Sequence, residues 1–176
     1  MPRLAVVLSA LALTSTPAGG AAAQGIPFSQ HGTVTQRVGV TDIGISYNRP
    51  VARGRRLFGG IVRWRRVWHP GADSATTIQF NRDVLVQGHP LSAGRYTLWT
   101  IPDSLEWTVI FSRAVNVFHV PYPGASLDVL RVTVTPEPGS DMEVLAYYFP
   151  VVGPDSAVLR LHWGTTMVPL HIRTTP

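Results

Sequence analysis

Cysteine is absent from the 176 residues, and so is lysine. The first absence excludes a disulfide framework, a thiolate metal site, a cysteine nucleophile and a lipidated cysteine anchor. The second makes all 15 cations arginine and rules out a Ser-x-x-Lys catalytic pair. Charge of either sign is scarce, 14% of the chain against 45% hydrophobic, which is a globular balance and not a disordered one. The 16 Gly and 15 Pro follow no three-residue period, so a collagen-like rod is excluded. No segment beyond residue 23 approaches the ~20 uninterrupted apolar residues of a membrane-spanning helix.

The first residues carry a processing pattern. Arg3 precedes an apolar run over 4–13, and small residues follow, ending in Ala21-Ala22-Ala23 before Gln24. This predicts a signal peptide over 1–23 with an Ala-x-Ala type cleavage site, and export to the periplasm or the extracellular space. The remaining 24–176 are expected to form a single domain. Without disulfides, that domain needs an ordinary core, and a chain of about 150 residues buries roughly 70% of its unfolded surface.

Period-two alternation runs through most of that domain. Strands are predicted over 33–38, 40–47, 75–80, 83–87, 94–101, 105–112, 129–135, 142–149, 157–163 and 167–172. Leu105, Trp107, Val109 and Phe111 are placed on one buried face of a hairpin that turns at Pro102-Asp103-Ser104. Residues 142–149 are apolar on both faces and read as a central strand. Residues 157–163 and 167–172 read as a final hairpin turning at Thr165-Thr166, with Arg160 opposite His171 and His162 on the same outward face. The best helical candidate is one turn over 57–62. The expected fold is all-β, an antiparallel β-sandwich of about nine or ten short strands with one long Arg-rich loop.

That loop, 48–74, breaks the strand rhythm for 27 residues, and connections beyond ~12–15 residues tend to be functional. It also holds the charge asymmetry. Seven Arg (49, 53, 55, 56, 63, 65 and 66) and no acid lie between Ile43 and Ala72, so the rest of the mature chain is net negative.

Several blocks carry a family resemblance. They are Ser46-Tyr47-Asn48-Arg49-Pro50, Gly54 to Val62, Val67-Trp68, Gly71-Ala72-Asp73 and Ala75-Thr76-Thr77. They continue through Leu91 to Leu98, Thr100-Ile101-Pro102, Glu106 to Phe111 and Leu159 to Trp163. Together they resemble a bacterial exported family catalogued as domain of unknown function 2911, over nearly the whole mature chain. The resemblance implies an exported protein and brings no established activity. The chain departs from the family's usual pattern at Arg63-Trp64-Arg65-Arg66, where a Pro-aromatic-Gly-basic turn is usual, and at His69, where Arg is usual.

Anion recognition is the chemistry that an acid-free Arg cluster suggests, because guanidinium forks match carboxylate or phosphate oxygens in pairs. Tyr47, Trp64 and Trp68 would add a stacking surface for a sugar ring. Arg49 and Arg55 are the leading ligand contacts, with His69 and Asp73 behind them, the Asp orienting an Arg. The alternative is that the Arg side chains stand singly or pair with Asp73, Asp83 or Glu106, while the Trp residues are core. Despite the net charge of +5, no nucleic-acid module is present. The six His have no metal-ligand spacing, and no cofactor is implied. No Gly-x-Ser-x-Gly elbow occurs, though Asp73 and Glu106 could converge on His69 as an acid–base set. Three readings follow: a binding module for an anionic or carbohydrate-like ligand, an envelope protein-interaction domain, and a hydrolase with an unrecognised site.

Overall fold

A computed structural model describes residues 28–174. The expected signal segment lies outside the described residues. Ten strands form two antiparallel sheets, packed as a sandwich and not closed into a barrel. They are β1 (Gln30–Val38), β2 (Thr41–Arg49), β3 (Thr77–Phe80), β4 (Val84–Val86) and β5 (His89–Leu91), then β6 (Gly94–Ile101), β7 (Trp107–Ser112), β8 (Asp128–Val134), β9 (Glu137–Val152) and β10 (Ser156–Thr174). One sheet runs β1-β2-β3-β6-β7-β8 and the other β5-β4-β10-β9.

Alternation explains most of this. Ile43, Ile45 and Tyr47 of β2 face inward, as do Trp107, Val109 and Phe111 of β7, and they meet Leu159, Leu161, Leu170 and Ile172 of β10. The central hairpin is as expected, except that Leu105 is 77% exposed and lies ahead of β7. The register begins at Ile101 against Thr108, so Leu105 belongs to the turn and has no sheet to cover it. The outer face of the six-stranded sheet is also partly covered. Ala75, Trp99 and Ile110 form a second small core there with Val117 and Tyr122.

Other expectations are corrected. The final hairpin does not form, because β10 is one strand of 19 residues. Its first half pairs with β9, from Ala157 against Val152 to Met167 against Glu137, and its end pairs with β4. Gly164, at φ +55°, sits where the register shifts, so Gly164-Thr165-Thr166 is a β-bulge that bends the strand without reversing it. Arg160 therefore pairs with Glu137, and His162 is buried, its ring bonded to Tyr148 Oη and the Ser140 carbonyl.

Nor is the 142–149 stretch central, because β9 is the edge of its sheet. Its outer rim is met by the incoming loop, where Ala52 N–H donates to the Glu143 carbonyl (2.8 Å) and Leu145 N–H to that of Pro50 (3.0 Å). This covers an exposed ladder edge. Strand β5 was not expected. Gln87 and Gly88 both have positive φ, the two-residue hairpin turn that puts His89 opposite Val86. Residues 57–62 form a tight bridged turn instead of a helical one, and the one helical turn among the described residues is 3-10, at Ala125–Leu127.

Candidate functional site

Between β2 and β3 the chain makes no strand, as its sequence implies, yet the loop is firmly anchored. Phe58 packs edge-on against Trp107 of one sheet at 5.0 Å and against Trp163 of the other at 6.4 Å. Trp68 exchanges backbone hydrogen bonds with Thr100 (2.7 and 2.8 Å) and stacks on Trp163. The apolar rings inside an otherwise cationic segment thus plug one end of the sandwich, and the six arginines from Arg53 to Arg66 are left exposed.

Four of the seven guanidinium groups are accounted for within the protein. Arg49 Nε donates to the Leu145 carbonyl at 3.2 Å. Arg55 donates from Nε to the Ala52 carbonyl and from Nη2 to that of Val51, at 2.9 and 2.7 Å. Arg53 lies 4.0 Å over the Phe28 ring. Arg65 pairs with Asp103 at 2.7 Å and by that hydrogen bond holds the carboxyl below its ordinary range. Its partner is thus Asp103, and the ion pairs of the described residues do not join these arginines to Asp73 or Glu106.

Two cavities flank Arg55. One, of about 450 Å³, is walled by Arg55, Phe58, Trp64, Asp141, Glu143, Thr165 and Thr166. The other, of about 300 Å³, has Arg53, Arg55, Trp68 and Trp163 in its wall. Trp64, 38% exposed, lies 6.0 Å from Phe58 with the rings 30° apart and lines the first cavity.

Of the residues expected to form a site, Arg55 and Trp64 come together in one cavity, and Arg55 and Trp68 in its neighbour. Tyr47 does not join them. It is buried against Tyr147 at 4.8 Å, its hydroxyl accepting the Tyr147 N–H. Arg49 lines neither cavity, and its Nε turns to the backbone of β9. Asp73 is exposed, and its carbonyl accepts from the backbone N–H and ring Nδ1 of His119 at 2.9 and 2.8 Å.

His69 is a core residue, 3% exposed. Its Nε2 accepts the Thr76 N–H, its ring lies 5.6 Å from that of Trp99, and Nδ1 has no hydrogen-bond partner. Burial, helped by the nearby His119, pushes its pKa down to about 3. It is neutral at pH 7 and supplies no cation, and neither Asp73 nor Glu106 bonds to it.

Sequence reading missed Asp141, Glu143, Thr165 and Thr166. Two carboxylates two residues apart on one strand share a face, which was a usable signal. Their meeting with a loop some 90 residues earlier depends on Val51 bridging Val144.

The fold and this aromatic, mixed-charge end define an open two-sheet β-sandwich with a plugged, cavity-bearing loop. Residues 29–172 match the family model described as protein of unknown function DUF2911, and the chain belongs to that family. No curated protein and no solved structure matches it.

Proposed function

We propose that the chain is an exported binding module, periplasmic or secreted, built as one β-sandwich unit over 24–176, that holds a carbohydrate-like ligand at the Arg55–Trp64 cavity. Export rests on the Arg3, apolar and Ala21-Ala22-Ala23 pattern. The observation carrying the binding role is that a part-exposed tryptophan, an arginine, two acidic residues and two threonines line one concave surface. Concave sites with a few convergent polar groups are where small ligands bind. Asp141 and Glu143 stand beside Arg55 and repel a bare anion. A polyhydroxylated ligand suits all three, because hydroxyls donate to carboxylates and accept from guanidinium. Within the anionic or carbohydrate-like class, the neutral carbohydrate is therefore favoured.

Titration calorimetry with neutral and acidic oligosaccharides tests this. Neutral oligosaccharides should give saturable heats, and Trp64→Ala should weaken them at least tenfold while leaving the fold intact. Heats absent for every sugar would end this reading.

An envelope protein partner is the second reading, favoured by Ile61 and Val67, which are exposed in the same loop as Trp64. Ile61→Asp and Val67→Asp would then remove capture of an envelope protein and leave the sugar heats unchanged.

A further inference from the structure

Away from the loop cavities, the outer face of the six-stranded sheet carries three polar side chains in series. Strands β1 and β2 pair with His31 directly opposite Asn48, and Ser46 lies two residues back on β2. Ile45 and Tyr47, which alternate with them, face the core, so Ser46 and Asn48 face outward. Asn48 Oδ1 is 3.1 Å from His31 Nδ1, and Ser46 Oγ is 3.3 Å from His31 Nε2.

The direction of each hydrogen bond follows from the last member. Asn48 Nδ2 donates to the Ala72 carbonyl at 3.1 Å, and a carbonyl can only accept. The amide oxygen is therefore the end presented to His31, and Nδ1 must carry the proton. Nε2 is left as a lone pair, and Ser46 donates to it. A hydroxyl, an imidazole base facing it and an acceptor fixing the tautomer are the three roles of a serine nucleophile set, which is recognised by geometry and not by chain position.

The surroundings fit acyl chemistry. The three residues line a cavity of about 650 Å³ that Arg95, Asn116 and Phe118 also enter. Thr77 is the cross-strand partner of Ser46, and Arg95 Nη2 reaches Thr77 Oγ1 at 3.3 Å. The guanidinium, carried by β6, thus reaches the strand beside Ser46 and brings donors of the kind a developing oxyanion needs. Phe118 and Val117 supply an apolar wall of limited size.

We propose that Ser46, His31 and Asn48 hydrolyse short-chain carboxylic esters. Ser46 Oγ bonds to the ester carbonyl carbon as its proton passes to His31 Nε2, and Arg95 takes the oxyanion charge. Collapse breaks the bond to the alkoxy oxygen, and the alcohol leaves with the proton from Nε2. Water then gives a proton to Nε2 and attacks the acyl group. The carboxylic acid departs, and the proton returns to Ser46. Ester and water become acid and alcohol, with no other reactant.

The full chain, tested with p-nitrophenyl acetate and butyrate and with a fluorophosphonate label mapped by peptide mass spectrometry, decides the matter. Wild type should hydrolyse both esters above buffer and be labelled at Ser46. Ser46→Ala and His31→Gln should each lose at least nine-tenths of that rate, and His31→Gln should lose the label. Asn48 is a positioning residue, so Asn48→Asp should move the acid limb of the pH profile upward, because a carboxylate favours the imidazolium. A scaffold role would leave that limb in place. An unchanged rate in Ser46→Ala, or a wild type with neither hydrolysis nor label, overturns the proposal. Should Ser46→Ala fail to fold, the label on wild type and its loss in His31→Gln decide alone.

Discussion

Trp68 and Trp163 stack with their ring centroids 6.0 Å apart and their planes 11° from parallel. One belongs to the Arg-rich loop and the other to β10, so this pair ties the loop to the four-stranded sheet. Trp163 also donates from Nε1 to the Glu143 carbonyl at 3.2 Å, linking the same point to β9. Trp163→Ala should cost about 3–5 kcal/mol in urea unfolding, the range for emptying a packed aromatic site. It should also speed tryptic cleavage within residues 53–66, where exposed arginines are abundant. A loss below ~1 kcal/mol with unchanged cleavage would mean that Phe58 and the backbone hydrogen bonds hold the loop without this stack.

Trp107 and Leu105 separate what alternation predicts from what it does not. Trp107 is fully buried and meets Phe58, whereas Leu105 is exposed in the turn. Trp107→Ala is expected to lose about 3–5 kcal/mol and Leu105→Ala no more than about 0.5, measured as urea midpoints under one set of conditions. Equal losses would restore Leu105 to the core.

His69 makes stability depend on pH. Its pKa is about 3 folded and near its ordinary 6.5 unfolded, so between those values the unfolded chain binds the extra proton. The stabilisation is complete above about pH 6.5 and is lost progressively as pH falls toward about 3, at about 1.4 kcal/mol for each unit of difference. His69→Gln cannot take up that proton. Its stability should be lower at pH 7 but fall less steeply between pH 6.5 and 4.5, a window above most carboxylate titration. Parallel curves for the two proteins in that window would contradict the assignment.

Legibility followed locality. The β6–β7 hairpin was readable because its partners are adjacent in sequence and its turn is marked by Pro102-Asp103-Ser104. Strand β10 was not, because a left-handed glycine followed by two threonines looks alike in a turn and in a bulge; only pairing with β9 on both sides of Gly164 distinguishes them. The loop announced itself through its missing alternation and missing acids, and Arg55 and Trp64 do share a cavity wall. What stayed hidden was everything fixed by long-range register: the carboxylates that share a cavity wall with Arg55, the burial of His69, and His31 set across from Asn48.

Gly164 carries a further expectation from the same bulge. At φ +55° any side chain is strained, and an added Cβ would come within 2.8 Å of Leu57 Cδ1. Gly54, at φ +67°, has nothing within 4 Å of the same position. Gly54→Ala should therefore cost about 1–2 kcal/mol from backbone strain alone, and Gly164→Ala somewhat more, because the end of the Leu57 side chain must also shift. Thermal unfolding of both variants checks the order. A smaller loss at Gly164 would show that the bulge relaxes freely.

In the proposed carbohydrate site, Asp141 is the residue whose charge separates a neutral ligand from an anionic one. It borders the cavity that Arg55 and Trp64 also line, and its carboxylate, unlike that of Glu143, takes no hydrogen bond from the Arg53 backbone. Asp141→Asn therefore changes charge and acceptor strength with little expected effect on the loop. A neutral polyhydroxylated ligand loses a charge-assisted hydrogen bond, which should weaken its binding roughly tenfold. A bare anion is relieved of a repulsion, so its binding should strengthen, and added salt should erase that gain because the site is open to solvent. Calorimetry with a neutral and an acidic oligosaccharide at low and high ionic strength separates the two. The expected result is weaker binding of the neutral sugar with little dependence on salt. Tighter binding of the acidic sugar in Asp141→Asn, lost at high salt, would instead make Arg55 an anion receptor and the carboxylates its restraint.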